Sequence, residues 1–127
     1  SMIKEAYRVL KPQGNIILTV PFTWELHEEP YDFFRISKHG LKELFEEAGF
    51  EINYIKANGG KWAAMFQMML NTVYSTFKYK TVKSKILKLL FIELRLTWLI
   101  NHIAIWADKK YRDDIWTINY IVVAKKI

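Results

Sequence analysis

Five strand-forming residues closed by a proline, Ile16-Ile17-Leu18-Thr19-Val20-Pro21, restrict the fold more than any other stretch of this chain. The run carries apolar residues on both alternating faces. That is the pattern of a strand covered by helix layers on both sides, as in a parallel sheet. Pro21 has no N–H to give to a ladder and closes it. A strand of this kind needs helices around it, which points to an α/β layer arrangement and away from a helical bundle or a β-sandwich.

The segments on either side supply those helices. Ile3, Ala6, Tyr7 and Leu10 fall at helical spacing, so residues 2–10 read as a short amphipathic helix. Lys11-Pro12-Gln13-Gly14 follows, with Pro second and Gly fourth, which favours a type I turn. Ser37 is placed to cap a helix over 38–48 with Leu41, Leu44, Phe45 and Ala48 inward, and Gly49 to end it in the left-handed region. Residues 51–57 alternate and read as a second strand. Asn58-Gly59-Gly60 is a break.

Beyond the break the period changes. Trp62, Met65, Phe66, Met69, Leu70, Val73 and Phe77 make a helical stripe over 61–77. A second helix is expected from about Val82 to Asp108, apolar round much of its circumference, with Lys88, Arg95, His102 and Lys109 recurring on one side. Residues 115–124 read as a last strand with a basic tail, Lys125 and Lys126. Charge divides the same way. Residues 1–60 hold seven Lys and Arg against nine Asp and Glu, whereas residues 61–127 hold twelve against four. With no Cys, disulfides and thiolate chemistry are excluded and a reducing compartment is suited. No stretch of 18 or more uncharged apolar residues exists, which disfavours a spanning helix.

Tyr7-Arg8-Val9-Leu10-Lys11-Pro12-Gln13-Gly14-Asn15-Ile16-Ile17-Leu18, followed by Leu41-Lys42-Glu43-Leu44-Phe45-Glu46-Glu47-Ala48-Gly49-Phe50, resembles the C-terminal half of Rossmann-like S-adenosylmethionine-dependent methyltransferases. Pro21-Phe22, His27 to Arg35 and Ser37-Lys38-His39-Gly40 are similar to one subgroup of them. The likeness covers residues 2 to about 57. Position 13 departs, because the family usually has Gly there; Gln is compatible with a type I turn. The resemblance implies an α/β fold containing a partial Rossmann-like sheet. Residues 15–22 would be its strand five, 51–57 its strand six, and 115–125 its strand seven, antiparallel between the other two. A long two-helix insertion would part the last two strands. Residues 1–60 and 114–127 would then form one α/β part and 61–113 the helical insertion. It also implies S-adenosylmethionine as cofactor, held by motifs upstream of this chain. The expectation is a C-terminal portion that is inactive without its N-terminal half and that self-associates through an uncovered sheet edge.

Within that frame the loop after the first strand carries the candidate chemistry. Ligands of open α/β sheets bind beyond the carboxyl ends of the strands. His27 is the candidate catalytic base for an acceptor hydroxyl or amine. Trp24, Glu28, Tyr31, Asp32 and Arg35 are the candidate substrate-binding residues, with Arg35 suited to an anionic group. The competing assignment pairs Asp32 with Arg35 and leaves the aromatics to pack the loop. No metal site is expected, since no HxH or HExxH spacing occurs. The expected acceptor is a small or lipid-linked molecule. The Lys-rich 78–88 run beside apolar helices suits an oligomer contact or an anionic membrane surface, with nucleic acid ranked last. The alternative function is thus a non-catalytic association module built on the 61–113 helices. The location expected is cytoplasmic, with a peripheral place at the membrane as the variant.

Overall fold

The chain is α/β, with three strands and five helices in the computed structural model, which describes residues 2–127. The first strand, β1, spans Asn15–Pro21 and follows helix α1, Met2–Val9. Helix α2 covers Lys38–Glu47, and β2 covers Phe50–Asn58. The last strand, β3, covers Asn119–Lys126 and lies between the other two, giving the order β1-β3-β2. Both of its ladders are antiparallel, so β1 and β2 run in the same direction. Three helices, α3 (Lys61–Thr76), α4 (Val82–Glu93) and α5 (Leu96–Lys110), separate β2 from β3. Two units follow from this: Ser1–Asn58 with Ile118–Ile127, and Gly59–Thr117.

In the sheet unit one register position repeats across all three strands. Ile16, Ala124 and Ile52 align, as do Leu18, Val122 and Ile55, and Val20, Tyr120 and Ala57. These rows face the core made with Ile3, Leu41, Phe45 and Phe50 from the helical side. Leu41, Phe45, Val122 and Ala124 are completely buried. Ser37 caps α2 through its Oγ, which accepts the Gly40 N–H at 3.2 Å. Gly49 ends it at φ +94°, where a Cβ would also stand 3.1 Å from the Tyr7 ring. That close approach lets Tyr7 meet Phe50 edge-on with ring centroids 4.9 Å apart.

The expectation that β1 is covered on both faces is not met. Its residues alternate, and Ile17, on the opposite face from the core, is 72% exposed. Helices α1 and α2 contribute to one core on one side of the sheet, so the continuous apolar run reports a second face that this unit leaves open. The basic tail also has a structural place. The Lys126 ammonium donates to the Tyr7 and Leu10 carbonyls at 2.7 and 2.9 Å. It therefore satisfies acceptors at the C-terminal end of α1 and opposes the negative end of the helix dipole.

The turn before β1 differs from the expected type I. The Gly14 N–H donates to the Lys11 carbonyl, but Gln13, third in the turn, has φ +65°. That is the type II pattern, which favours Gly because a Cβ is disfavoured there. Gln13 is held by the ladder: its N–H donates to the Lys126 carbonyl at 3.0 Å. The departure at this position therefore carries strain.

The helical unit also departs from the expected pair of helices. The stretch from Val82 breaks at Leu94–Arg95, where Arg95 takes φ 48°, and α4 and α5 meet at a bend of 63°. No Gly or Pro marks this point. Aromatic packing accompanies it, with Phe91 lying 5.7 Å from Phe77 and 6.4 Å from Tyr74 at the end of α3. The final strand starts at Asn119, not at residue 115. Ahead of it the Ile115 N–H donates to the Asp113 carboxylate, and the buried Thr117 hydroxyl donates to the Gly59 carbonyl at 2.6 Å. No single helix among the described residues is long and apolar enough to cross a membrane.

One buried carboxylate starts α3. Its N-cap is Gly60, which has no side chain to offer. Asp108, from the last turns of α5, accepts the Gly60 N–H at 2.8 Å and the Ala63 N–H at 3.4 Å. A Cβ on Gly60 would stand 2.6 Å from the Asp108 Oδ1, so glycine admits this approach.

Two outcomes follow for urea unfolding. Gln13→Gly raises stability by about 0.5–1 kcal/mol with an unchanged slope, and Gln13→Val lowers it, by removing or worsening the left-handed strain. Asp108→Ala costs about 1–3 kcal/mol by leaving the α3 donors unpaired, and amide exchange accelerates first at Ala63.

Candidate functional site

The ladder of β1 and β3 runs on for one residue past Pro21. The Phe22 and Thr23 N–H groups both donate to the Ile118 carbonyl, at 2.8 and 3.1 Å. The chain then leaves the sheet as a loop that returns at Ser37. Its geometry is set by one carboxylate. Asp32 receives both Nη groups of Arg35, Nη2 at 2.7 Å to Oδ2 and Nη1 to Oδ1. The same Oδ2 accepts the His27 backbone N–H at 3.0 Å. Arg35 also reaches across to the Glu25 carbonyl at 3.1 Å and to the Phe34 carbonyl at 3.2 Å. The Asp32 side chain is only 8% exposed, so this clasp is largely shielded from water.

His27 lies on the clasp. Its Nδ1 is 3.3 Å from Asp32 Oδ2 and 3.2 Å from the Glu25 carbonyl. The Arg35 Nη2 also faces this nitrogen, at 3.5 Å, so Nδ1 is engaged by the clasp and Nε2 is the ring nitrogen left outside these contacts. The ring is 43% exposed. Together with Trp24, Pro21, Ile118 and Asn119 it lines a cleft of about 160 Å³. The cleft lies where β1 ends and β3 begins, since Pro21 is the register partner of Asn119.

The structure thus brings together His27, Asp32 and Arg35, and sets Trp24 beside His27 at the cleft. It does not bring Glu28 or Tyr31 into that group. Glu28 is exposed at φ 56°, and its carbonyl accepts the Tyr31 N–H at 2.9 Å to form a turn. The Tyr31 ring is exposed and packs edge-on with Phe33. Arg35 has its fork turned onto Asp32, the geometry of the competing assignment. Among the described residues, no group of three His, Asp or Glu side chains is arranged to hold a metal ion. Asn119 at the cleft had no signal of its own in the sequence; only the β1–β3 register places it there.

The Arg35 guanidinium, then the His27 backbone N–H, hold the Asp32 carboxyl well below the usual carboxylate range. Asp32 in turn pushes Arg35 up. Because the folded value of Asp32 is depressed, the clasp contributes fully above the unfolded value, about 3.9. Its contribution is lost only as pH falls through the lower folded value.

Compared with models of known protein families and with curated proteins, the chain matches none.

The clasp gives a direct expectation. The Asp32 carboxyl carbon shift shows no inflection from neutral pH down to about 3.9, where a free aspartate would titrate. Asp32→Asn raises amide exchange at His27 by about tenfold and leaves the exchange of β1 unchanged, as loss of one charge-assisted tie in a loop requires.

Proposed function

We propose that this chain forms the acceptor-side wall of a Rossmann-like S-adenosylmethionine-dependent methyltransferase. The observation that carries the reading is the order β1-β3-β2, with the last strand antiparallel between two strands of common direction. It is the arrangement implied by the resemblance of residues 2–57. The loop after β1 leaves from the carboxyl end of its strand, where open α/β sheets bind ligands. The unpaired outer edge of β1 and the exposed Ile17 suit a sheet that continues beyond it.

The residues around the cleft at the end of β1 do not fit the cofactor. The cleft at the end of β1 measures about 160 Å³, whereas pockets that enclose small molecules run to about 300–1,000 Å³. No glycine lies between Asn15 and His39 to permit close backbone approach. In this reading the cofactor belongs to residues outside the 127, and this chain acts on the acceptor. Trp24 forms a wall for it. His27, with Nδ1 occupied by Asp32, takes a proton from the acceptor's hydroxyl or amine at Nε2. Arg35 is a positioning residue, fixing Asp32 and through it the ring.

Calorimetry tests both halves of the reading. The chain alone binds S-adenosylmethionine no tighter than about 100 μM. The same chain, joined at Met2 to the polypeptide encoded directly upstream of it, binds at least about tenfold tighter. Failure of the extended protein to bind rejects the methyltransferase reading, and tight binding by the chain alone rejects the division of labour.

A further inference from the structure

We infer that the helical unit docks on an anionic lipid surface through α4 and α5, which lie in the interface without crossing it. The inference stands apart from methyl transfer and rests on how this unit distributes its side chains. The buried positions of α5 are Ala104, Ala107 and Asp108, two small residues and a carboxylate. Leu96 and Ile100 are half-buried and its other large apolar residues are outside: Trp98 is 59% exposed and Trp106 57%. In α4 the one buried residue is Ser84, while Leu89, Leu90 and Ile92 are exposed. A helix apolar round most of its circumference is ordinarily buried. A layer with alanines inward and Leu, Ile and Trp outward is inverted for water, and an exposed patch of this kind marks an interaction surface.

Charge selects the occupant. Residues 78–110 contain eight Lys and Arg and two acids, Glu93 and Asp108, while the next cation, Arg112, is paired with Asp114. Asp108 is turned inward onto the start of α3. The exposed apolar surface is therefore bordered by Lys and Arg with one acid to offset them. A second copy of this chain would set basic border against basic border. An anionic lipid leaflet complements that border, with the Lys stems lying over the apolar zone and their ammonium groups at the headgroups. Exposed Trp98 and Trp106 are of the residue type that settles at the lipid–water boundary. Lys110 lies over the Trp106 ring at 5.3 Å, joining indole and cation in one place.

Helix length sets the depth. The 12 residues of α4 and 15 of α5 rise about 18 and 22 Å, short of the roughly 30 Å hydrocarbon core. Together they are long and apolar enough to span, but the 63° bend at Arg95 keeps them from forming one straight helix. A bent pair with apolar residues outward and a basic border is suited to lie along the surface.

The test uses the full chain with vesicles of phosphatidylcholine alone or with about one-third phosphatidylglycerol. Cosedimentation is expected to be at least about tenfold tighter on the anionic vesicles and to weaken as salt rises. Lys83→Gln and Lys88→Gln each weaken it by about fivefold. Brominated acyl chains are expected to quench the tryptophan fluorescence of the unaltered chain, a readout that needs no variant. Equal binding to both vesicle types, or no quenching, overturns the inference. So does sedimentation of a tight dimer whose tryptophans are already shielded without lipid, which assigns the surface to a second copy.

Discussion

The sheet depends on β3. It is the partner of both β1 and β2, and the core rows pass through Tyr120, Val122 and Ala124. A central antiparallel strand of this kind has both edges paired, so it fixes two registers at once. A one-residue slip would send Val122 from the core to the open face. The same strand ties down α1, because Lys126 holds the Tyr7 and Leu10 carbonyls and its backbone pairs with the turn at Gln13 and Gly14. Residues 119 positions apart therefore close the unit.

That closure explains how the chain accommodates the excursion of residues 59–118 between β2 and β3. Asn58 and Asn119 are register partners, so the excursion leaves and returns at adjacent positions. In topology β2 and β3 are a hairpin whose connection is a folded unit. Loop-closure entropy grows by only about 0.6 kcal/mol for each doubling of length, so a long connection costs little once its ends are held together. The same register brings Asn119 opposite Pro21, which is why the cleft beside His27 is walled by residues from both ends of the chain.

Local features were legible in the sequence and distant ones were not. Ser37, Gly49 and the stripe from Trp62 declare their helices through contacts within a turn or two. Strand order was reached through resemblance, since periodicity alone does not say which strand lies in the middle. The bend at Arg95 escaped because no breaker residue marks it. The carboxylate that starts α3 escaped because it lies 48 residues away in α5. At the candidate site the residue types His, Asp and Arg were legible. Their partners were not, because Arg35 reaches back ten residues to Glu25 as well as three to Asp32. The open face of β1 was misread for a different reason: an apolar run specifies that something covers it, and the covering need not come from the same unit.

The two units meet that demand for apolar cover in different ways. The sheet unit buries Leu41, Phe45 and Val122 completely and leaves one face of its sheet open. Apart from Leu70, the helical unit keeps only small or polar residues buried, so its order rests more on directed polar ties and on edge-on aromatic contacts. Asp108 holds the start of α3, Lys61 pairs with Asp113 at 2.7 Å, and the Ser84 hydroxyl donates to the Thr76 carbonyl at 2.9 Å. Each large apolar side chain left outside forgoes about 1.5–3 kcal/mol of burial that a conventional core would supply. Such ties fix where the helices sit without drawing the outer Leu, Ile and Trp inward. The outward-facing surface is therefore compatible with a defined structure, and its apolar residues remain available to a partner that has no water in it.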